Sequence, residues 1–453
     1  MQKRPTFIVG LILAVIASAS TWFYMNRILR AQQLADAAAH DRPRGNLSDL
    51  YPRWLGAREL LRHRRNPYSG EITVEIQRGY YGRPIDPARP YDPKDEQGFA
   101  YPVYIVFLLA PTVDLPFSAV QFGFRWLLIV LSALSVLFWL RVLRWRASCG
   151  TALIFIALML GWLPVVQGIK LQQLSLLVAG LLSACGACLA GEWLFLAGGL
   201  LALATIKPQL AWPLVLWLLL WSVSEWRSRW RFVLGFGFMM LLLLGGAQWI
   251  LPGWWRMFID AIGQYHHYTQ NKSVLVWMFG SIVGRILEAA SAFVCALCLW
   301  QVRKLPSTSQ AFGHALGLVL ALTVLIVPMF APYNQVLLAP AIFGLVLSAT
   351  VRTETLRRET ARNANLRREH SGRPILPAIR LARVAAGLLL AWPWIATVGL
   401  SLAYVWLTPA LRQRVWPMPF YSNFMLPVFA FGLALHNTWM GASHPLRDSA
   451  SPE

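Results

Sequence analysis

The sequence predicts an all-α polytopic membrane protein with about 12 transmembrane helices. Three observations predict it. Hydrophobic residues fill 57% of the 453 positions. Charged residues make up only 13%, where soluble domains carry about a quarter. The basic residues, nearly all arginine, sit mostly in short segments between apolar runs, as expected of cytoplasmic loops. The net charge of +21 therefore reports loop bias, and no nucleic-acid partner is expected. The five cysteines lie in or beside apolar segments and imply no disulfide framework.

The first apolar run, "PTFIVGLILAVIASASTWFYM", follows Lys3 and Arg4. "ASAS" resembles a signal-peptide cleavage site, but the run is long for a signal sequence and leads into no soluble domain, so it reads as the first transmembrane helix. A polar loop is expected from 26 to 100, then apolar segments near 119–140, 151–166, 174–190, 194–206, 210–222, 232–250, 286–302, 312–330, 333–350, 385–407 and 423–441. Several fall short of the roughly 20 residues that cross a bilayer; such helices are tolerated where they line a cavity or pack on protein. Residues 101–117, broken by Pro111 and Pro116, read as a half-inserted helix.

Arginine placement tests the order. About twelve crossings put the clusters at 141–146, 227–231, 303–304 and 351–384 on the side of Lys3 and Arg4, the cytoplasm. The 26–100 loop, "GIKLQQ" (168–173), "IKPQ" (206–209), 251–285 and "PMFAPYNQ" (328–335) then share the opposite side. Residues 1–350 read as the transmembrane module, 351–384 as a solvated basic connector that touches anionic lipid, and 385–453 as C-terminal transmembrane helices with a cytoplasmic tail.

Half of the 20 acidic residues lie in the first outer loop. Asp49 precedes Leu50, Trp54, Ala57 and Leu61, an apolar stripe at helical spacing that would lie along the membrane surface. A carboxylate there either caps the helix, as Ser48 would also do, or serves as a general base shielded by a cavity. Arg53, four residues on, would pair with it and lower its pKa. The stretch "GYYGRPIDPARPYDP", between Pro67-Tyr68 and Tyr101-Pro102, is either an ordered substrate-contacting loop or a disordered connector. Lys170 and Lys207 are lone cations near the ends of apolar helices, either snorkelling or facing an anionic substrate. His266 and His267, adjacent in the 251–285 loop, cannot share one helix face as metal ligands; phosphate binding is the alternative to an interfacial aromatic cluster. "CGAC" (185–188) and "CALC" (295–298) sit inside apolar helices and read as packing by small residues, not as zinc ligands. Asp114, in a proline-bounded turn, reads as a cap. No P-loop, GxGxxG or HExxH is present, so a cytoplasmic nucleotide or nucleotide-sugar has no evident site.

In order along the chain, "SDLYPRWLGARELLRHRRNPY", "AYPVYIVFLLAP", "GIKLQQLSLLVAGLL", "LAGGLLALATIKPQLAWPLVL", "NKSVLVWMFGSI" and "APYNQVLLAPAI" resemble glycosyltransferase family 87, from about Asp49 to Pro340. The resemblance implies the C-type glycosyltransferase fold and transfer of a sugar, mannose in many members, from a polyprenyl-phosphate donor to a hydroxyl of a glycan or lipid acceptor. It also implies a cavity on the outer face of the bilayer. The family's loop acid falls on Asp49, its lysine-proline on Lys207-Pro208, and its small polar segment on Tyr333, Asn334 and Gln335. The chain departs from the family pattern at Asn66, where an acid is usual, at Val103 after Tyr101-Pro102, and in lacking a histidine near "PYNQ".

Displacement at the anomeric carbon needs one base, Asp49, to take the acceptor's proton, and inverts configuration. The leaving phosphate needs a cation, for which the candidates are Lys207, then Arg53 and Arg58, then His266 and His267. Tyr68, Tyr101, Tyr333, Asn334 and Gln335 are candidate substrate-loop residues. Nothing in the sequence calls for a metal or other cofactor. Two other readings are a transporter or lipid flippase, which predicts mid-helix charges and two similar halves, and a non-catalytic scaffold that tolerates change at Asp49.

Overall fold

The computed structural model describes residues 4–42, 44–269, 272–328, 331–349 and 377–443, apart from side chains at 4–6, 377–385 and 440–443. Most of the expected basic connector, and the end of the C-terminal tail, lie outside these residues. Among the described residues all regular structure is helical.

The first helix α1 (Arg4–Phe23) passes through a π-helical segment (Tyr24–Leu29) into α2 (Arg30–Ala39), so that one continuous helix containing an apolar window runs from Phe7 to Ala39. The expected outer loop therefore starts some 14 residues later than hydropathy indicated. Residues 26–39 are polar but contain no glycine or proline and are rich in alanine, so helix propensity carries the helix past the end of the apolar run.

The outer loop folds around α3 (Tyr51–His63) and α4 (Gly70–Tyr81). Ser69 caps α4 through the Ile72 amide. Gly56 is the one residue type that fits against the Phe99 ring, and Gly79 does the same under the Tyr51 ring. Arg65 ties the two helices, at 2.9 Å from Glu59 and 2.6 Å from Glu75. The proline-rich stretch is ordered: Arg83 makes two 2.8 Å bonds to Asp92, and the Tyr81 hydroxyl donates to the Asp95 carbonyl. The broken segment after it forms only α5 (Ile105–Leu109) and a 3-10 turn; Asp114, beyond that turn, ion-pairs with Arg62.

The membrane body follows as α6 (Phe117–Val142), α7 (Cys149–Leu160), α8 (Leu163–Leu171), α9 (Leu174–Ala190), α10 (Leu194–Ala204), α11 (Pro208–Ser224), α12 (Trp226–Ile250), α13 (Trp254–Thr269), α14 (Val274–Phe279), α15 (Ser281–Val302) and α16 (Gln310–Ile326). A 3-10 segment (Pro332–Leu338) runs into α17 (339–349), and α18 (Pro377–Ala403), α19 (Pro409–Val415), α20 (Met418–Ser422) and α21 (Leu426–Ser443) complete the chain. Seven of the described helices are long and apolar enough to cross a membrane, or eight if α7 and α8, bent by 57°, form one span. The expected count of about twelve was higher because α9, α10, α11 and α16 are apolar but shorter.

Of the shorter helices, α9 and α16 occupy the centre, while α10 and α11 also present Phe195, Trp212 and Leu216 to the outside. Helices α9 and α16 bury nearly every side chain, whereas α12 and α15 expose Leu241, Trp249, Ile282 and Phe293 on the outside. Such an apolar exterior fits a lipid-facing wall. Because hydrocarbon surrounds it, close packing and hydrogen bonds rather than water exclusion hold the helices together. At the crossing of α10 and α12, Gly198 meets the Phe232 carbonyl and Gly235 meets the Phe195 carbonyl, with no room for a Cβ on either.

Among the described residues, the basic clusters at 141–146, 227–231 and 303–304 gather at one end. Arg144 donates to the carbonyls of Thr308 and Ala190. Arg229 is buried, donates to the carbonyls of Trp221, Arg303, Lys304 and Leu305 at 2.7–3.0 Å, and stacks over Trp221. One guanidinium thus satisfies the otherwise unpaired carbonyls that end α15.

Candidate active site

All five segments expected to share one side contribute to a single cavity of roughly 240 Å³, whose lining includes Asp49, Gln173, Lys207, His266 and Tyr333. A turn assembles its centre. Helix α8 ends at Gln172, which takes a left-handed conformation (φ 50°). The Gln172 side-chain amide then caps the Ile169 and Lys170 carbonyls, and its oxygen accepts from the Ser48 hydroxyl at 2.7 Å. The Asp49 amide donates to the Leu171 carbonyl at 2.9 Å. The outer loop is therefore pinned to the end of α8 by backbone and side chain together.

Neither Ser48 nor Asp49 caps α3; its cap position is Leu50, with no side-chain bond. The Asp49 carboxylate faces the cavity instead. One oxygen accepts from the Tyr80 hydroxyl at 2.9 Å and the other from the Gln173 amide. The expected i,i+4 pairing with Arg53 does not form at the carboxylate, since Arg53 donates to the Asp49 main-chain carbonyl at 3.0 Å and lies over the Tyr101 ring at 4.4 Å. Nor is the acid's pKa lowered. Burial pushes it up, against the opposing pull of the Arg53 charge, the Tyr80 and Gln173 hydrogen bonds and the Lys207 charge.

Lys207 lies between α10 and α11 and is buried (4% exposed). Its ammonium donates to the Ser175 hydroxyl at 2.7 Å and the Gln173 side-chain oxygen at 3.3 Å, over the Tyr333 ring. Ser175 in turn donates to Asn334 at 2.7 Å. Gln173 is the hinge of this network: its amide nitrogen serves Asp49 and its oxygen serves Lys207, which separates acid and cation yet holds both at the cavity wall.

Of the other sequence candidates, Tyr101, Arg53 and His266 line the cavity. Arg58 does not; it is exposed and lies over Trp54. His267 is exposed and outside the lining. Tyr68 stands behind the wall, donating to the Tyr101 carbonyl at 2.6 Å. Asn334 and Gln335 are buried below it, the latter donating to the Asn423 carbonyl. Lys170 bonds Asn26 elsewhere. Sequence reasoning missed Tyr80, Gln173, Ser175 and Asp95. Asp95 lines the cavity, has both oxygens bound by Gln97, and is also pushed up by burial. The double glutamine in a segment assigned to the outer side was the available signal for Gln173. Among the described residues no three His, Cys, Asp or Glu side chains gather as a metal site.

The model of glycosyltransferase family 87 matches residues 99–332, just over half of the chain. The chain belongs to glycosyltransferase family 87. No curated protein and no solved structure matches it. Membership makes the protein a membrane glycosyltransferase, in keeping with its apolar helices. The matched region contains Tyr101, Gln173, Lys207 and the α13 histidines of this glycosyltransferase. Asp49, Arg53, Arg58 and Tyr68 precede it, and Tyr333, Asn334 and Gln335 follow it, so the family match does not cover them.

Proposed function

We propose that the glycosyltransferase moves a sugar, mannose first among the candidates, from a polyprenyl-phosphate donor to an acceptor hydroxyl by a single inverting displacement. In this reading the cavity opens to the extracytoplasmic face of a bacterial inner membrane, in a C-type fold of about twelve crossings where the short helices pass through with the long ones. The observation that carries it is the juxtaposition in one cavity of the Asp49 carboxylate with Arg53 and Lys207.

Asp49 accepts the acceptor's proton as its oxygen attacks the anomeric carbon. The proton goes to the carboxylate and the bonding pair of the broken C–O bond leaves with the polyprenyl phosphate. A carboxylate whose pKa is raised toward the working pH is a better proton acceptor than a solvated one. Lys207 and Arg53, fixed by Ser175, Gln173 and Tyr101, stabilise the charge growing on the phosphate without reorganising.

The test follows release of polyprenyl phosphate from labelled polyprenyl-phosphate mannose, with a membrane-lipid extract as acceptor. Asp49→Asn should turn over about 10²–10⁴-fold more slowly while binding donor normally. Equal rates would move the base elsewhere, and no turnover with mannose, glucose or arabinose donors would overturn the reading.

A further inference from the structure

A second cluster of charge lies outside the cavity wall. Lys170 bonds Asn26, and Arg30 stands one helical turn further along the same chain. Gln121 donates to Gln172, two residues from Lys170, at 3.0 Å, and Arg125 stands one turn further along α6. Residues four apart share a helix face, so Arg30 and Arg125 flank Lys170, and the charges of both bear on it. Arg44, from the outer loop, joins them. It is held below the usual guanidinium range by burial and by the Arg30 charge, and one of its terminal nitrogens is buried with no partner among the described residues.

Four cations thus converge from four elements, and among the described residues none of them ion-pairs with a carboxylate. The depth of Arg125 makes this costly. It is exposed two turns inside a candidate span, beside Phe122 and Trp126, which are 62% and 54% exposed and packed edge to face. An unpaired guanidinium on a lipid-facing wall is stabilised by an anion that reaches it. The molecule that brings a phosphate there, with chains to cover the aromatic pair, is an anionic phospholipid.

We propose that Arg30, Arg44, Arg125 and Lys170 form a binding site for an anionic phospholipid headgroup, whose acyl chains lie along Phe122 and Trp126. The site does not depend on the donor or the acceptor, and the Gln172 turn stands between it and Asp49.

The experiment titrates the purified full chain with phosphatidylglycerol or phosphatidylcholine and counts bound lipid by native mass spectrometry. The wild type should hold phosphatidylglycerol about tenfold more tightly. Arg125→Gln with Lys170→Gln should abolish the preference, with helix content and melting checked by circular dichroism; Arg64→Gln with Arg78→Gln, two exposed cations on α3's end and α4, should keep it. Equal binding of the two lipids by wild type, which needs no variant to fold, overturns the proposal. So does a preference that survives in the Arg125/Lys170 variant. Displacement of the lipid by millimolar inorganic phosphate would assign the site to free phosphate instead.

Discussion

Asp49 titrates under opposed forces: burial raises its pKa, and the Arg53 charge and the Tyr80 and Gln173 hydrogen bonds restrain the rise. A base must be ionised, so turnover should climb as pH rises through that elevated value and fall away on the acid side. Tyr80→Phe deletes a donor to the carboxylate, leaves the ionised form less favoured, and should move the acid limb of kcat/KM to higher pH; an unmoved limb would assign the limb to another group. The place of Asp49 before an amphipathic helix fitted a cap or a base, the family resemblance favoured the base, and the carboxylate lies at the cavity wall. Tyr80, Gln173 and Ser175 were not legible, because they reach the carboxylate and Lys207 through the left-handed turn at Gln172 and through the packing of α4, neither of which has a pattern in the sequence. The expected Arg53 pairing failed for a local reason: the arginine bonds the main chain and the Tyr101 face instead.

At the scale of elements, the apolar runs located nearly every membrane helix, while their ends were set by other forces. Propensity extends α1 through α2, and Ser148, Ser273 and Ser309 start α7, α14 and α16 by capping. The α10–α12 crossing depends on two glycines that hydropathy does not distinguish. Gly198→Leu drives a side chain into the Phe232 carbonyl and should cost about 1–3 kcal/mol or more, read as a lower melting temperature in detergent. Arg229 lies on α12 less than two turns before Gly235. Arg229→Gln removes charge-assisted bonds to four carbonyls and should destabilise by about 3 kcal/mol, read in the same melting assay.

For the molecule as a whole, the distribution of arginine carried the most information. It divides the chain into two sets of segments. One set gathers around Arg144 and Arg229, the other around the cavity. Ala88→Cys and Ser228→Cys, each exposed and each placed in a chain whose own cysteines are replaced, should therefore differ in intact cells. A membrane-impermeant maleimide should label the first, and label the second only after lysis. Labelling of both, or of Ser228→Cys alone, would reverse or break the assigned sidedness. The number of crossings was less legible, because an apolar run records only that a segment avoids water, and both a buried central helix and a full span do so.

The shortness of α10 has a mechanical consequence for the surrounding bilayer. Its 11 residues extend about 16 Å, against about 30 Å of hydrocarbon, and Lys207 sits at its end. Under the proposed topology, with α10 starting at the opposite interface, the cavity floor would lie well below the plane of neighbouring headgroups, and the leaflet would dip toward it or a lipid phosphate would sink to reach it. Either movement is easier in a thin membrane. Turnover in vesicles should thus fall as acyl chains lengthen at constant headgroup, which makes membrane thickness itself a control on the rate.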